Sequence, residues 1–367
     1  MTEASVPRIR GYRDLVLIGS GGRSTVYAAY ESMLGRAVAI KVLDDDRSAE
    51  RERSRFRREC EALGALDGVP HVVDVFASAF TDDGRGCIVM RLMRESTAQR
   101  LRRDGPLDPR ALVEVARAGA VALGHAHALG LVHRDVKPAN LLVGDDGVVA
   151  LADFDIAFLG VPEPAGEAFG ATTRDSLSPP HAAPERFGSS SRGVPAEDIW
   201  SLGSTLWTLA EGRPPFGTAE DEGGLVGLVE RIRTEPTPGS TRDDLPEPLV
   251  EVITRCLEKD PGDRWPDAAA ILHALDAIPP ERPGDVPPEL TSKGMRRPRA
   301  ESALAASTGD AVVGVDAVDG DTAADTGLRP DAADTLDPSA RPIRWSSLVV
   351  VSAVGLAVVI TLMLALR

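Results

Sequence analysis

The chain has 367 residues, a formal net charge of −15 and 43% hydrophobic residues. This length allows two compact domains or one large bilobal domain. The spread of acidic charge leaves no basic face, which argues against a nucleic-acid-binding protein. The cysteines, Cys60, Cys87 and Cys256, lack metal-ligand spacing and are predicted to be reduced thiols of a cytosolic domain. The first ten residues contain no apolar run, so no secretory signal is expected.

The N-terminal region predicts two strands around a glycine-rich turn. Leu15–Ile18 and Ala37–Val42 are apolar runs, and glycines stand at positions 19, 21 and 22 between them. Glycines let the backbone approach phosphate oxygens closely, although such a turn is often only a hairpin. Because no helix follows the turn, it is predicted to be a flap over a nucleotide rather than a P-loop or a Rossmann turn. Strand alternation puts Lys41 on the face opposite the neighbouring valine and isoleucine residues, where it is predicted to reach phosphates.

The next segment predicts one helix and two further strands. Ser48–Leu66 carries an apolar stripe at helical spacing, and Glu59 lies beside that stripe. Glu59 is the candidate partner of the strand lysine, although a helix glutamate is ordinarily only solvated. The apolar runs Val72–Phe76 and Cys87–Leu92 predict strands, with a turn between them at Asp82–Gly84.

The segment His133–Val143 carries the strongest chemical signal in the chain. Asp135, Lys137 and Asn140 lie within six residues, and Pro138 keeps them out of a regular helix. In phosphoryl transfer, a carboxylate accepts the proton of the attacking hydroxyl, a cation meets the moving phosphoryl group and an amide oxygen helps to hold a metal ion. The alternative is a polar surface loop, but this order of residues is far more specific than a lone motif.

A second acid is predicted to join the same site. Asp153 ends another apolar run, thirteen residues after Asn140. A hairpin over Leu141–Asp153, turning at Asp146–Gly147, would bring this acid back beside Asn140.

The remainder of the compact part is predicted to be mainly helical. Apolar segments indicating helices occur at Pro109–Leu129, Glu197–Ala210, Leu249–Leu257 and Asp267–Ala277. Gly160–Ser178 shows no periodicity and is predicted to be a mobile loop.

These motifs together resemble the protein kinase superfamily, most closely the eukaryotic-like Ser/Thr kinases of bacteria. The glycine-rich flap, the Ala-Ile-Lys motif ending at Lys41, His-Arg-Asp ending at Asp135, Ala-Pro-Glu ending at Glu185 and the late Arg264 follow the family's order. The resemblance implies an α+β, bilobal protein kinase fold over residues 12–278. A small N-terminal β-sheet lobe with one helix and a larger helical C-terminal lobe would enclose ATP with Mg²⁺, or with Mn²⁺ as the alternative ion.

The resemblance also assigns roles to single residues. Asp135 is expected to be the catalytic base, with Lys137 near the γ-phosphate and with Asn140 and Asp153 holding the metal ion. Lys41 is expected to hold the α- and β-phosphates and to pair with the helix glutamate. The full set of expected ATP-binding residues is Ile18, Gly19, Ser20, Gly21, Gly22, Val26, Ala39, Lys41, Glu59, Met90 and Met93.

Further expectations concern regulation and support. The activation-segment phosphosites are expected at Thr172, Thr173 and Ser176, whose phosphate would pair with Arg134. The structural residues are expected to be Ser178, Asp198, Glu185 and Arg264, of which the last two should pair.

The sequence departs from the family at several positions. Ser24 replaces the third glycine of the flap. Asp155 stands where the family has the glycine of Asp-Phe-Gly. Ser178 replaces the usual threonine, and His181 a common tyrosine. The last two departures bear on regulation and peptide preference more than on chemistry.

The predicted function is that of a non-specific serine/threonine protein kinase. It would transfer the γ-phosphate of ATP to Ser/Thr hydroxyls of cytoplasmic proteins and autophosphorylate its activation segment. The alternative is a nucleotide-binding pseudokinase that acts as a scaffold at the membrane. Its support comes from Asp155 and from the unusual segment before Ala-Pro-Glu.

The C-terminal region predicts a membrane anchor. Residues 279–344 are rich in Ala, Asp and Pro and are predicted to be a disordered linker. Residues 345–366 are predicted to be a transmembrane helix, because Ser346–Leu366 lacks charge and spans about 30 Å as a helix. Arg341 and Arg344 precede this span, so a single-pass protein of the cell membrane is predicted, with a cytoplasmic kinase domain and the C-terminus outside. Small residues at positions 353 and 357 make a homodimer a candidate partner.

Overall fold

Five antiparallel strands form the sheet of the N-terminal region. They are β1 (Tyr12–Ser20), β2 (Ser24–Glu31), β3 (Arg36–Leu43), β4 (Val75–Phe80) and β5 (Gly86–Arg91). Their order in the sheet is β1-β2-β3-β5-β4, so β3 lies at the centre.

The structure is a computed structural model that describes part of the chain. The described residues are 6–21, 24–43, 56, 60, 61, 63–154, 178–188 and 193–278. Several predictions therefore lie outside the described residues. They concern Gly22, Glu59, Asp155, the loop with the three phosphosites, the linker and the membrane span. Among the described residues, no helix is both long enough and apolar enough to cross a bilayer.

Alternation along β3 builds the core of the sheet and presents Lys41 on the other side. Val38, Ile40 and Val42 are fully buried in one apolar cluster with residues of β2 and β5. Lys41 faces the opposite way, in register with Val26 of β2. The predicted face of the lysine is therefore confirmed.

The C-terminal region is mainly helical. Its helices are α1 (Thr97–Asp104), α2 (Pro109–Ala128), α3 (Pro195–Glu211), α4 (Gly224–Thr234), α5 (Glu247–Cys256) and α6 (Ala268–Leu275). Two 3-10 turns, Pro179–His181 and Pro184–Phe187, precede α3. A small sheet of β6 (Glu95–Ser96), β7 (Leu141–Val143) and β8 (Val149–Leu151) completes the region.

Helix α3 is the centre of the helical core. Nearly every residue of α3 is buried, including Ile199, Trp200, Leu202 and Leu206. Helix α2 packs closely against it at Gly119, where an added Cβ would lie 2.7 Å from Leu202 Cδ1. Since α2 leads towards the His133 segment and α3 carries Asp198, this packing fixes two of the elements that build the site.

Some predicted elements are confirmed and one is wrong. The hairpin of β7 and β8 forms as expected, and Gly147 at its turn has a φ of 78°. The strand predicted at Val72–Phe76 lies later, as β4. The reason is that Val72 bridges to Leu151 and the N–H of Val73 donates to the Leu151 carbonyl, so this stretch joins the C-terminal region. Helices α1 and α4 were not predicted.

Candidate active site

The carboxylate of Asp198 fixes the backbone of the His133 segment. Asp198 is fully buried near the start of α3 and accepts hydrogen bonds from the N–H groups of His133 (2.8 Å) and Arg134 (2.7 Å). His127 Nε2 lies 2.8 Å from the same carboxylate. Arg134 has a φ of 68°, a conformation that costs a non-glycine residue roughly 1–2 kcal/mol. The bonds from Asp198 help to hold this strained turn.

The imidazole of His133 connects the turn to the strand that ends before Asp153. The ring is buried and lies 4.4 Å from the ring of Phe154. Its Nε2 lies 2.9 Å from the carbonyl of Ala152, while the N–H of Asp135 donates to Nδ1 at 3.2 Å. Because a carbonyl only accepts, Nε2 must carry the proton, and Nδ1 is left as the acceptor. The neutral ring therefore connects the segment of Asp135 to the segment that leads into Asp153.

The side chains of Lys137 and Ser178 meet at the Asp135 carboxylate. Lys137 Nζ lies 2.7 Å from Asp135 Oδ2 and donates to Ser178 Oγ at 2.7 Å. The Ser178 hydroxyl donates in turn to Asp135 Oδ1 at 2.8 Å. The carboxylate is part-buried, with a side-chain exposure of 18%. An acceptor carboxylate, a cation and a hydroxyl are thus held within direct contact of one another.

Asn140 lies on the other side of the same carboxylate. Its Nδ2 donates to the Asp135 carbonyl at 2.8 Å and to Asp135 Oδ2 at 3.1 Å. The backbone of Asn140 also accepts a hydrogen bond from Ala152 N. With its amide nitrogen used in this way, the side chain keeps Oδ1 for another partner.

Lys41 and Asp153 connect the two regions of the fold. Lys41 Nζ lies 2.8 Å from Asp153 Oδ1. Burial alone would raise the pKa of Asp153, but Lys41, with a smaller effect from Lys137, holds that pKa below its ordinary value. Asp153 has a φ of 62°, the second strained non-glycine residue at the site. The strand lysine and the second acid therefore meet, across 112 positions of sequence.

Apolar side chains lie beside these polar groups. Val73, Ala150 and Ala152 form a buried cluster on which Met90, Met93 and Leu142 pack while staying partly exposed. Ala39 of β3 is buried and in register with Met90 of β5. A partly exposed apolar surface next to cations and acids suits a ligand with a flat ring and phosphate groups.

A family model described as "Protein kinase domain" matches residues 12–275 of the chain. The chain belongs to the protein kinase family. It is 35% identical over 299 residues to the serine/threonine-protein kinase PknK of Mycobacterium tuberculosis, covering 80% of this chain and 26% of PknK. It is also 35% identical over 268 residues to PknE of Mycobacterium bovis, covering 72% of this chain and 46% of PknE. The chain thus spans less than half the length of these two curated relatives.

The comparisons confirm the α+β kinase fold and support the prediction of a Ser/Thr protein kinase. Within the kinase fold, the structure brings together most of the predicted site residues. Asp135, Lys137, Asn140 and Ser178 form one connected set of side chains, and Lys41 pairs with Asp153. The two sets lie next to each other, because the N–H of Ala152, the residue before Asp153, donates to the Asn140 carbonyl. Ile18, Gly19, Ser20 and Val26 lie on β1 and β2, and Gly21 donates its N–H to the Ser24 carbonyl at 2.8 Å.

The oxygen donors of this site fit a Mg²⁺ ion shared with phosphates. Among the described residues, no group of three His, Cys, Asp or Glu side chains can hold a metal by itself. A Mg²⁺ bound with a nucleotide needs only one or two protein carboxylates or amides, because phosphates and waters supply the other ligands. Asp153 and the Asn140 amide oxygen are hard donors of this kind, so the residues fit the ion that the family implies.

Arg264 and Glu185 form the pair expected from the sequence. Arg264 Nη1 and Nη2 donate to Glu185 Oε1 (2.7 Å) and Oε2 (2.8 Å). The guanidinium is fully buried and also donates to the carbonyls of Glu258, Ala196 and Lys259. This network joins the turn of Pro184–Phe187 to the start of α3 and to the segment after α5.

His181 lies in the turn beside Ser178. Its Nδ1 lies 3.0 Å from Ser204 Oγ, and its carbonyl accepts a hydrogen bond from Ser201 Oγ at 2.9 Å. Burial lowers the pKa of His181 to about 4, while nearby Asp135 opposes this change and Lys137 adds to it. At neutral pH this imidazole is therefore uncharged.

Two contributors were missed from the sequence. His127, on α2, contacts Asp198, but a histidine near a helix end gives no specific signal. Leu142 packs beside Met90 and Met93. Its signal was present, because the alternation along β7 buries Leu141 and Val143 and points Leu142 the other way.

Proposed function

We propose that the chain is a Ser/Thr protein kinase that transfers the γ-phosphate of ATP to hydroxyl groups of cytoplasmic proteins. The observation that carries the proposal is the contact set around Asp135, in which Lys137 lies at 2.7 Å and the Ser178 hydroxyl donates at 2.8 Å. Phosphoryl transfer requires an acceptor for the proton of the attacking hydroxyl beside a cation for the moving phosphoryl group.

In this proposal, Asp135 orients the substrate hydroxyl and accepts its proton. Lys137 and Ser178 keep the carboxylate in one position, which lowers the entropic cost of reaching the reactive geometry. Lys137 is also close enough to Asp135 to meet the negative charge of the transferred group. Its compact ammonium suits this role better than a planar guanidinium.

ATP and Mg²⁺ are the proposed ligands, with Mn²⁺ as a substitute. The ion, when bound, supplies electrostatic stabilisation of the phosphate oxygens. Asn140 and Asp153 would hold it, and Lys41 would bind the α- and β-phosphates. Met90, Met93 and Ala39 would contact the adenine, with the glycine-rich turn over the phosphates. The role of Glu59 as the partner of Lys41 is part of the same proposal.

Regulation by autophosphorylation is also proposed. Thr172, Thr173 and Ser176 precede Ser178, and a phosphate there would carry the charge and acceptor oxygens that an arginine such as Arg134 binds. Mass spectrometry of active protein should find phosphate between residues 170 and 178. Full activity in protein without phosphate in that span would contradict this part.

A labelled-ATP experiment tests the proposed activity. The purified full chain in detergent is incubated with labelled ATP, Mg²⁺ and a general protein substrate, beside Asp135→Asn. The wild type should label itself or the substrate, and Asp135→Asn should not. Asp244→Asn is the matched control, because Asp244 is exposed and contacts Arg242 away from the site.

The same experiment separates the kinase from a pseudokinase scaffold. A wild-type protein that binds ATP but is no more active than Asp135→Asn would favour the scaffold. Loss of labelling in Asp244→Asn as well would mean that the assay reports general damage rather than the role of Asp135.

A further inference from the structure

Two acidic residues, Glu197 and Asp198, lie side by side in the first turn of α3. Asp198 accepts hydrogen bonds from the N–H groups of His133 and Arg134, which form the turn before Asp135 and are called the catalytic turn below. Glu197 is equally buried, with 1% of its surface exposed. Its Oε2 lies 3.7 Å from Arg186 Nε, and its Oε1 accepts a hydrogen bond from Gly193 N at 3.2 Å.

Arg186 connects Glu197 to the catalytic turn. While its Nε faces Glu197, its Nη1 donates to the carbonyl of Arg134. The Arg186 side chain is only 11% exposed and lies between these two partners, in an ion pair with Glu197 and a hydrogen bond to the Arg134 carbonyl. A cation oriented by a buried carboxylate forms a strong hydrogen bond to a carbonyl.

The Arg134 side chain also packs beside Glu197, against the backbone of Gly193. A Cβ added to Gly193 would lie 1.8 Å from Arg134 Nη2, so the guanidinium lies directly on the backbone whose N–H binds Glu197. Burial raises the pKa of Glu197, and Arg186 and Arg134 both oppose that change. The charge of Glu197 and the placement of the two arginines therefore depend on one another.

The peptide that Arg186 binds is the strained one. Arg134 has a φ of 68°, and such conformations persist only where the surroundings hold them from more than one side. Asp198 holds its N–H, and Arg186 holds its carbonyl. The next residue in the chain is Asp135. Release of the carbonyl would let the turn relax and displace the Asp135 carboxylate.

We propose that Glu197 is a positioning residue for phosphoryl transfer, because it orients Arg186 onto the Arg134 carbonyl and so fixes the position of Asp135. This inference rests on the proposed kinase activity. It differs from the role of Asp198, which acts on the N–H side of the same turn. It also gives the Pro184–Phe187 turn, which carries Arg186, a direct link to the catalytic residue.

The test compares four variants of the full chain. Glu197→Gln keeps the shape of the side chain and removes its charge, and Arg186→Met removes the donors that bind the carbonyl. The double variant combines both changes. Glu211→Gln is the matched control, since Glu211 ends the same helix and accepts hydrogen bonds from Ser240 and Thr241 far along the chain. kcat, the KM for ATP and the thermal unfolding midpoint are measured for each.

Each single variant should lower kcat by about 10- to 100-fold, the range that a displacement of about 1 Å causes. The KM for ATP should change by less than about threefold, because a displaced base affects the chemical step more than nucleotide binding. The double variant should be no slower than the slower single variant, since both changes break one connection. Glu211→Gln should retain wild-type kcat.

Three results would overturn the inference alone. They are wild-type kcat in Glu197→Gln, wild-type kcat in Arg186→Met, and a double variant in which the two losses multiply. If Glu197→Gln shows no cooperative unfolding, the variant is not properly folded and its kcat is not informative. Arg186→Met then decides the question, because it breaks the connection between Glu197 and the Arg134 carbonyl while Glu197 stays in place. Absence of transfer by the wild type would instead overturn the proposed function and this inference with it.

Discussion

Lys41 illustrates how one side chain joins the two regions of the molecule. It leaves the central strand β3, on the face opposite the core, and contacts Asp153 at 2.8 Å. Lys41→Met should abolish transfer, because the phosphates and Asp153 lose their cation, while the fold is kept. Lys41→Arg should also lose most activity, since a planar fork cannot place a point charge in the same position. Rates of phosphate transfer, with circular dichroism as the check on folding, measure this.

Arg36→Met is the control for this prediction. Arg36 begins the same strand but contacts Glu31 and the Phe76 ring. It should stay within a few-fold of wild-type activity. Normal turnover by Lys41→Met would contradict the proposed role of Lys41 in binding the phosphates.

Ser178 gives a second prediction at the scale of one residue. Its hydroxyl accepts from Lys137 and donates to Asp135, and alanine would leave both charged groups without this partner. Ser178→Ala should lower kcat by about tenfold, or about 1.4 kcal/mol of barrier. Ser178→Thr should restore most of the rate, because it returns a hydroxyl at the same place. If Ser178→Ala and Ser178→Thr lose activity equally, the loss reflects packing of the turn and not the hydroxyl.

At the scale of elements, the turn Pro179–His181 rests on α3 through His181. The pKa of His181 falls from 6.5 to about 4 on folding. Between these values the unfolded chain binds more protons than the folded chain, so the free energy of unfolding should fall as the pH drops from 6.5 towards 4. Urea unfolding at pH 7 and pH 5 measures this difference. His181→Gln should reduce this pH-dependent difference, whereas His273→Gln is the control, because His273 is exposed in the last turn of α6.

The Arg264–Glu185 pair gives a prediction about the connection between turn and helix. Arg264→Ala removes two bonds to Glu185 and leaves a part-buried carboxylate and three backbone carbonyls without their donor. The free energy of unfolding should fall by about 3–5 kcal/mol. Arg103→Ala should have little effect, because Arg103 is 59% exposed in its contact with Glu95. Equal losses in the two variants, measured by urea unfolding, would contradict a special role for Arg264.

The elements also show what could be predicted from the sequence. The candidate catalytic residues, the β7–β8 hairpin and α2 could be predicted from local patterns, because their residue order or hydrophobic periodicity is visible within one short stretch of sequence. Helix α1 was missed although Ser96 and Gln99 form a capping box at its start. Helix α4 begins at Gly224 with a left-handed glycine before it and no side-chain cap, so it gives a weak signal. The contacts of Arg186 with Glu197 and Arg134 depend on tertiary packing that no local pattern records.

At the scale of the whole molecule, the proposed anchor at residues 345–366 makes a topological prediction. The full chain should fractionate with membranes, while a chain ending at residue 280 should remain in the supernatant and still transfer phosphate. A reporter fused after Arg367 should lie outside the cytoplasm, as the arginines before the span require. A reporter found inside the cytoplasm would contradict this orientation. Replacing Leu356 and Leu362 with arginine is the control that should abolish membrane association.

The bonds of His133 have one more consequence. Its two ring nitrogens contact the backbone on either side, at Asp135 and at Ala152. The ring therefore acts as a rigid spacer. Its width sets the distance between Asp135, the proposed proton acceptor, and Asp153, the proposed metal ligand that follows Ala152. A glutamine offers a donor and an acceptor too, but both sit on one carbon at the end of a rotatable chain. A proton added to Nδ1 would point at the N–H of Asp135. The two donors would repel each other and increase the distance between His133 and the Asp135 backbone. The distance between Asp135 and Asp153 thus depends on one imidazole in one tautomer.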